Sequence, residues 1–133
     1  MIDGYTDVAV VVSDGQKAKK WYVEKLGFKV VLDGGHAVCV SPNVKGRSLF
    51  LHLCSGFEKV QPGNTGIGFT ANDIEKTCRD FASKGVRFSV PLTDGDGYKM
   101  AKFLDPDGNE YWLFESRLAK KVVRRGARGR KGR

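Results

Sequence analysis

The sequence predicts an α+β protein made of two βαβββ modules, and three observations carry that prediction. The chain repeats itself: residues 7–25 line up with residues 66–84 at a constant offset of 59, without gaps. Val8 matches Ile67, Val10 matches Phe69, Asp14 matches Asp73, Tyr22 matches Phe81, and Gly27 matches Gly85 after a one-residue gap. Each half then reads strand, helix and three more strands, from apolar runs and helical spacing bounded by Gly, Asn and Asp. Finally, Asp105-Pro106-Asp107-Gly108 has the residues of a type I turn between two apolar stretches, so the chain closes on a hairpin. Half a repeat cannot bury its own sheet. Two half-sheets side by side, with helices outside, can curve around a shared cavity.

The elements follow in order. Residues 8–12 are a β-branched run and read as a largely buried strand. Ser13 or Asp14 caps a helix with Ala18, Trp21, Tyr22 and Leu26 on one face, and Gly27 ends it. Residues 28–32 form a strand turned by Asp33-Gly34-Gly35. Residues 36–41 and 48–53 are two further strands, joined by a loop over 42–47. A Gly/Pro linker at 61–64 opens the second half, whose first strand is 66–71. Asn72 or Asp73 caps a helix with Ile74, Cys78, Phe81 and Ala82 on one face, and Gly85 stops it. Residues 86–90 form a strand, 91–97 an Asp- and Gly-rich loop, and 98–104 and 109–115 the closing hairpin.

Composition bounds the function. A chain of 133 residues, 41% hydrophobic, is one domain with a core. No apolar run approaches the ~20 residues that span a bilayer, and the N-terminus has no basic segment before its short apolar run. Cys39, Cys54 and Cys78 are odd in number and lack C-x-x-C spacing, which suits a reducing compartment and buried free thiols. A cytoplasmic location is expected. The net charge of +8 is unevenly placed. Residues 117–133 hold 9 of the 23 Lys and Arg and none of the 15 Asp and Glu, leaving 14 basic against 15 acidic in residues 1–116. The body is near neutral and the basicity belongs to a tail. Such a tail is either a solubilising extension or a salt-sensitive contact for nucleic acid. It lacks the interleaved aromatics of a base-stacking platform.

Val12-Ser13-Asp14, then Ala18-Lys19-Lys20-Trp21-Tyr22, Leu26-Gly27-Phe28 and the closing Asp105-Pro106-Asp107-Gly108-Asn109, set on paired βαβββ modules, resemble the vicinal oxygen chelate superfamily. That group includes glyoxalase I, bleomycin-resistance proteins and extradiol dioxygenases. The resemblance covers residues ~5–115 and divides the chain into a domain at 1–116, with module one at 1–60 and module two at 64–116, and a basic tail at 117–133. It implies a cupped eight-stranded mixed sheet with helices outside and the ligand within. It also implies a homodimer. Catalytic members hold a divalent metal on His, Glu or Gln from four slots. The resemblance places these slots at Asp7, His52, Gly66 and Trp112. Gly66 has no side chain, and the Trp112 indole is a donor only. A catalytic zinc normally takes three protein ligands, so no metal is expected. Asp7 and His52 are the weak candidates should a divalent metal bind, and they are also the candidate catalytic residues.

The ligand-binding candidates are Asp7, Phe50, His52, Trp112 and Phe114. His52, in Leu51-His52-Leu53, reads either as a core residue of an apolar strand or as a cavity residue able to exchange protons. Asp7 reads as a solvated strand end or as a partner of His52. Trp112, Phe114, Phe50 and either Tyr5 or Tyr98 would make a stacking wall for planar or apolar ligands, or fill a closed core. His36, after two glycines, is given no role. Cys54 could act as a nucleophile beside His52, but the sequence offers no cause for a lowered thiol pKa. The expected function is capture of an apolar or aromatic small molecule without a metal. The alternatives are a divergent metal-dependent lyase, isomerase or dioxygenase, and a nucleic-acid-associated protein acting through its tail.

Overall fold

The computed structural model describes residues 1–4, 7–34, 37–42, 50–95 and 97–116. The elements run β1 Val8–Val11, α1 Gly15–Leu26, β2 Lys29–Gly34, β3 Ala37–Ser41, β4 Leu51–Cys54, β5 Gly63–Ala71, α2 Ile74–Ser83, β6 Arg87–Gly95, β7 Tyr98–Leu104 and β8 Asn109–Glu115. The eight strands form two four-stranded sheets, ordered β1-β4-β3-β2 and β5-β8-β7-β6. The protein is thus α+β, with two βαβββ modules. It divides into two compact units: Met1–Gly63 with Asp105–Asn109, and Asn64–Leu104 with the residues from Glu110 on.

In the first unit, Asp14 sits in extended backbone and its carboxylate accepts from the Gln16 and Lys17 amides at 3.0 and 3.1 Å. It thereby caps α1. Gly27, at φ 74°, closes the helix in the left-handed region. β1 and β4 are parallel, with Ala9 opposite His52, and β4 is antiparallel to β3, with His52 opposite Cys39. Side chains alternate across these strands. Val10, Leu51, Leu53, Val38 and Val40 are buried with Ala18 and Tyr22 of α1, and Ala9, His52 and Cys39 stand on the other face.

The Asp105–Asn109 turn belongs to this unit for a specific reason. Asp105 is 1% exposed. Its carboxylate accepts from the Asp107 and Asn109 amides at 2.9 and 2.8 Å, from Asn109 Nδ2 at 2.8 Å, and from the Tyr22 hydroxyl at 2.7 Å. Asn109 Nδ2 also donates to the Val11 carbonyl at 3.0 Å, and the Ser13 amide donates to Asp107 at 3.1 Å. A buried carboxylate is tolerated when its lone pairs are met this way.

In the second unit, Asp73 caps α2 by accepting from the Lys76 amide at 3.1 Å. Ile74 and Phe81 are buried under α2 with Ala101, Phe103, Tyr111 and Leu113. Phe69, Phe81, Phe103 and Tyr111 form a ring cluster with centroids 5.3 to 6.3 Å apart. Ala82, expected on the buried face, is exposed.

Several boundaries differ from expectation, and β2 runs on to Gly34, into the turn expected at 33–35. β6 continues through Pro91 to Gly95 where a loop is expected. It is the edge strand, with register shifts between Phe88 and Val90 and between Val90 and Thr93. A proline costs no ladder bond on an open edge or at a bulge. β5 begins at Gly63, inside the expected linker. β4 begins at Leu51, and Phe50 precedes it. Among the described residues no helix is long and apolar enough to cross a membrane.

Candidate functional site

The site residues expected from the sequence fall into two groups, each on the sheet face opposite its helix. In the first unit, the parallel pairing of β1 and β4 brings the start of β1 beside His52. Asp7 Oδ2 lies 3.4 Å from His52 Nδ1, both side chains being part-exposed. His52 Nε2 is buried and has no hydrogen-bond partner among the described residues. Cys39, opposite His52 on β3, has its thiol pKa raised, first by burial and then by the Asp7 charge. A raised thiol is a poor nucleophile. Phe50 is 42% exposed just before β4, and Cys54 follows two residues after His52.

In the second unit, Trp112 and Phe114 alternate along β8 with the buried Tyr111 and Leu113. Their rings stack at 5.6 Å with an interplanar angle of 6°. Tyr98 lies 6.2 Å from Phe114. Both rings are half-buried, and β5 passes beside them at Gly68, where a Cβ would make ordinary van der Waals contact with the Phe114 ring at 3.4 Å and Trp112 Cβ at 3.6 Å. Lys102 Nζ lies 3.8 Å from the Trp112 ring centroid and 3.6 Å from Glu110, which also accepts from the Ser89 hydroxyl at 2.6 Å. Cation–π contact and ion pair together hold the indole against one side.

Lys102 is not among the sequence candidates, although a signal for it exists. A turn pairing Leu104 with Glu110 sets Lys102 directly opposite Trp112, and this register follows from the Asp-Pro-Asp-Gly turn. Tyr5, His36 and residues 117–133 lie outside the described residues.

The slots implied by a metal centre do not fit one. Gly66 has φ +74° and its amide donates to Asn64 Oδ1 at 2.9 Å. A residue with a ligating side chain would be strained there, by roughly 1 kcal/mol or more. Trp112 offers no lone pair. Among the described residues no three His, Cys, Asp or Glu side chains are grouped as a metal would need.

Residues 4–113 match the family model of the Glyoxalase/Bleomycin resistance protein/Dioxygenase superfamily. The chain belongs to this superfamily. The chain is 31% identical over 123 residues to the uncharacterised protein YetH of Bacillus subtilis, covering 86% of this chain and all of that one. It is 39% identical over 59 residues to glyoxalase I of Saccharomyces cerevisiae, a match that spans 44% of this chain and only 18% of that enzyme. Among solved structures, a superfamily member from Sphaerobacter thermophilus superposes with a TM-score of 0.75 at 30% identity, covering 86% of this chain and 98% of that one. TnmS3, an antibiotic binding protein from a Streptomyces species, superposes with a TM-score of 0.72 at 29% identity over the same shares.

Proposed function

We propose that this superfamily member captures a planar, apolar or aromatic small molecule in the cytoplasm, without a metal ion. The observation that carries this reading is the Trp112–Phe114 stack, half-buried on the sheet face opposite α2, with Tyr98 beside it and Lys102 against the indole. Part-exposed stacked rings offer area for another ring at little entropic cost. The likeness to an antibiotic binding protein supports the same class of ligand. The glycine conformation at position 66 and the indole at position 112 support a site that works by stacking rather than by chelation.

The test is fluorescence. Trp21 and Trp112 are the two tryptophans, so Trp21→Phe leaves Trp112 as the reporter. Titration with a panel of planar polycyclic compounds and bleomycin should give saturable quenching by at least one of them, unchanged by EDTA. Trp112→Ala should weaken that binding roughly tenfold or more, as the loss of one stacked ring implies. No binding across the panel, or binding indifferent to Trp112, would overturn the proposal.

One observation favours a second reading. His52 Nε2 is buried and unpartnered among the described residues while Asp7 stands at Nδ1, which is how a histidine is oriented toward a ligand or an acid–base role. A divergent lyase, isomerase or dioxygenase would use that pair. Near-stoichiometric zinc, iron, manganese or nickel, lost in His52→Ala, would support it over the first.

A further inference from the structure

The two modules treat their outer edges differently. β2 and β6 are corresponding strands, each at the end of its sheet. β6 carries Arg87, Ser89, Pro91, Thr93 and Asp94 exposed, and its register shifts twice. Charge, proline and bulges are the usual means of keeping an open edge from pairing. β2 has no such set. Val30, Val31 and Leu32 are consecutive and 44%, 45% and 52% exposed, although aliphatic side chains of this size are normally buried in a strand. Within the repeat, Val31 stands where β6 has Ser89, and Asp33 where it has Pro91.

The strand is also complementary to itself. Antiparallel pairing of Lys29-Val30-Val31-Leu32-Asp33 with an identical strand, centred on Val31, sets Lys29 opposite Asp33 at both ends. It also sets Val30 opposite Leu32, and Val31 opposite Val31 on the two-fold axis. Such an isologous contact closes on itself. Asp33 is already held in place, accepting from Lys19 at 2.7 Å and Gln16 at 2.9 Å, so it presents a fixed carboxylate to an incoming lysine. The bulge between Val30 and Leu32 on the β3 side interrupts regular pairing there, which limits the new ladder to a few bonds. Most of the association must then come from the aliphatic side chains.

We infer that β2 is an interaction surface whose partner is the β2 strand of a second copy of this chain, paired antiparallel about Val31. Residues directly opposite in an antiparallel pair have Cα atoms about 4.5–5.5 Å apart, within disulfide reach. The experiment uses the full chain. Sedimentation velocity at tens of micromolar should show a dimer. Val31→Cys, mildly oxidised, should give a disulfide-linked dimer on a non-reducing gel, and wild type, with its three native thiols, should not. Lys29→Glu sets like charges opposite each other and should raise the dimer dissociation constant at least tenfold. Adding Asp33→Lys to it should recover most of the loss. Far-UV circular dichroism of each variant guards against misfolding, and the cross-link does not depend on either charge variant. A monomeric wild type, or a dimer in which Val31→Cys does not cross-link and Lys29→Glu has no effect, would overturn the inference.

Discussion

Replacing Tyr22 by Phe removes one oxygen from the centre of the first unit. Tyr22 is fully buried and its hydroxyl donates to Asp105 at 2.7 Å, a short bond to an ionisable acceptor that is itself 1% exposed. The ring stays, with its edge contact to Trp21 at 5.1 Å and its contact to Phe28 at 5.9 Å, so apolar burial is almost unchanged. What is lost is one hydrogen bond to a charged group, worth about 1.5–3 kcal/mol net. The upper end applies when an acceptor is left with nothing. Asp105 keeps Asn109 Nδ2 on the same oxygen and two amides on the other, so the expected loss is about 2 kcal/mol. That corresponds to roughly a thirtyfold change in the unfolding equilibrium. Urea denaturation followed by far-UV circular dichroism should show a lower midpoint with an unchanged slope. Asp105→Asn should cost more, because its amide would set donors against donors. A Tyr22→Phe loss below about 0.5 kcal/mol would refute the claim that this carboxylate holds the turn in place.

Other outcomes follow from the same geometry. Gly108 has φ +84° and a Cβ there would meet Pro62 Cβ at 2.9 Å, so Gly108→Ala should destabilise by about 1–3 kcal/mol in the same assay. Gly4→Ala, which meets nothing within 4 Å, should be near neutral. Burial raises the thiol pKa of Cys39, with Asp7 adding to it, and burial raises that of Cys78. Iodoacetamide at pH 8 should therefore alkylate both more slowly than unfolded protein, as read by peptide mass mapping. The folded thiols hold their protons longer than the unfolded ones. Their contribution to stability is complete below the ordinary thiol range, about 8.5, and is lost as pH rises through the folded values. Asp7→Asn should change stability by at most ~1 kcal/mol, since its pair with His52 is part-exposed.

Local chemistry makes much of the fold legible. Asp14 and Asp73 are readable as caps, and Gly27 and Gly85 as stops, because each meets orphan backbone groups of a helix end close by in sequence. The alternation of Tyr111 and Leu113 with Trp112 and Phe114 puts the two pairs on opposite faces of one strand, which the buried and half-buried faces of β8 bear out. The extension of β6 past Pro91 is not legible, because only the strand order reveals that this strand is an edge. Asp105 reads as capping its own turn, which it does, but its bond to Tyr22 spans 83 residues and no local pattern announces it. In the same way, the nearness of Asp7 to His52 depends on the parallel pairing of β1 with β4. From sequence it is available through the family resemblance alone.

The proposed function requires the Trp112–Phe114 face of the second sheet to bind a planar ligand by stacking. The most direct measurement is fluorescence titration of the Trp21→Phe protein, in EDTA, with planar polycyclic compounds and bleomycin. Saturable quenching that is weakened roughly tenfold or more when Phe114 is replaced by Ala is the predicted result. Binding that appears only after a divalent metal is added, and that vanishes in His52→Ala while Phe114→Ala leaves it intact, would contradict the account.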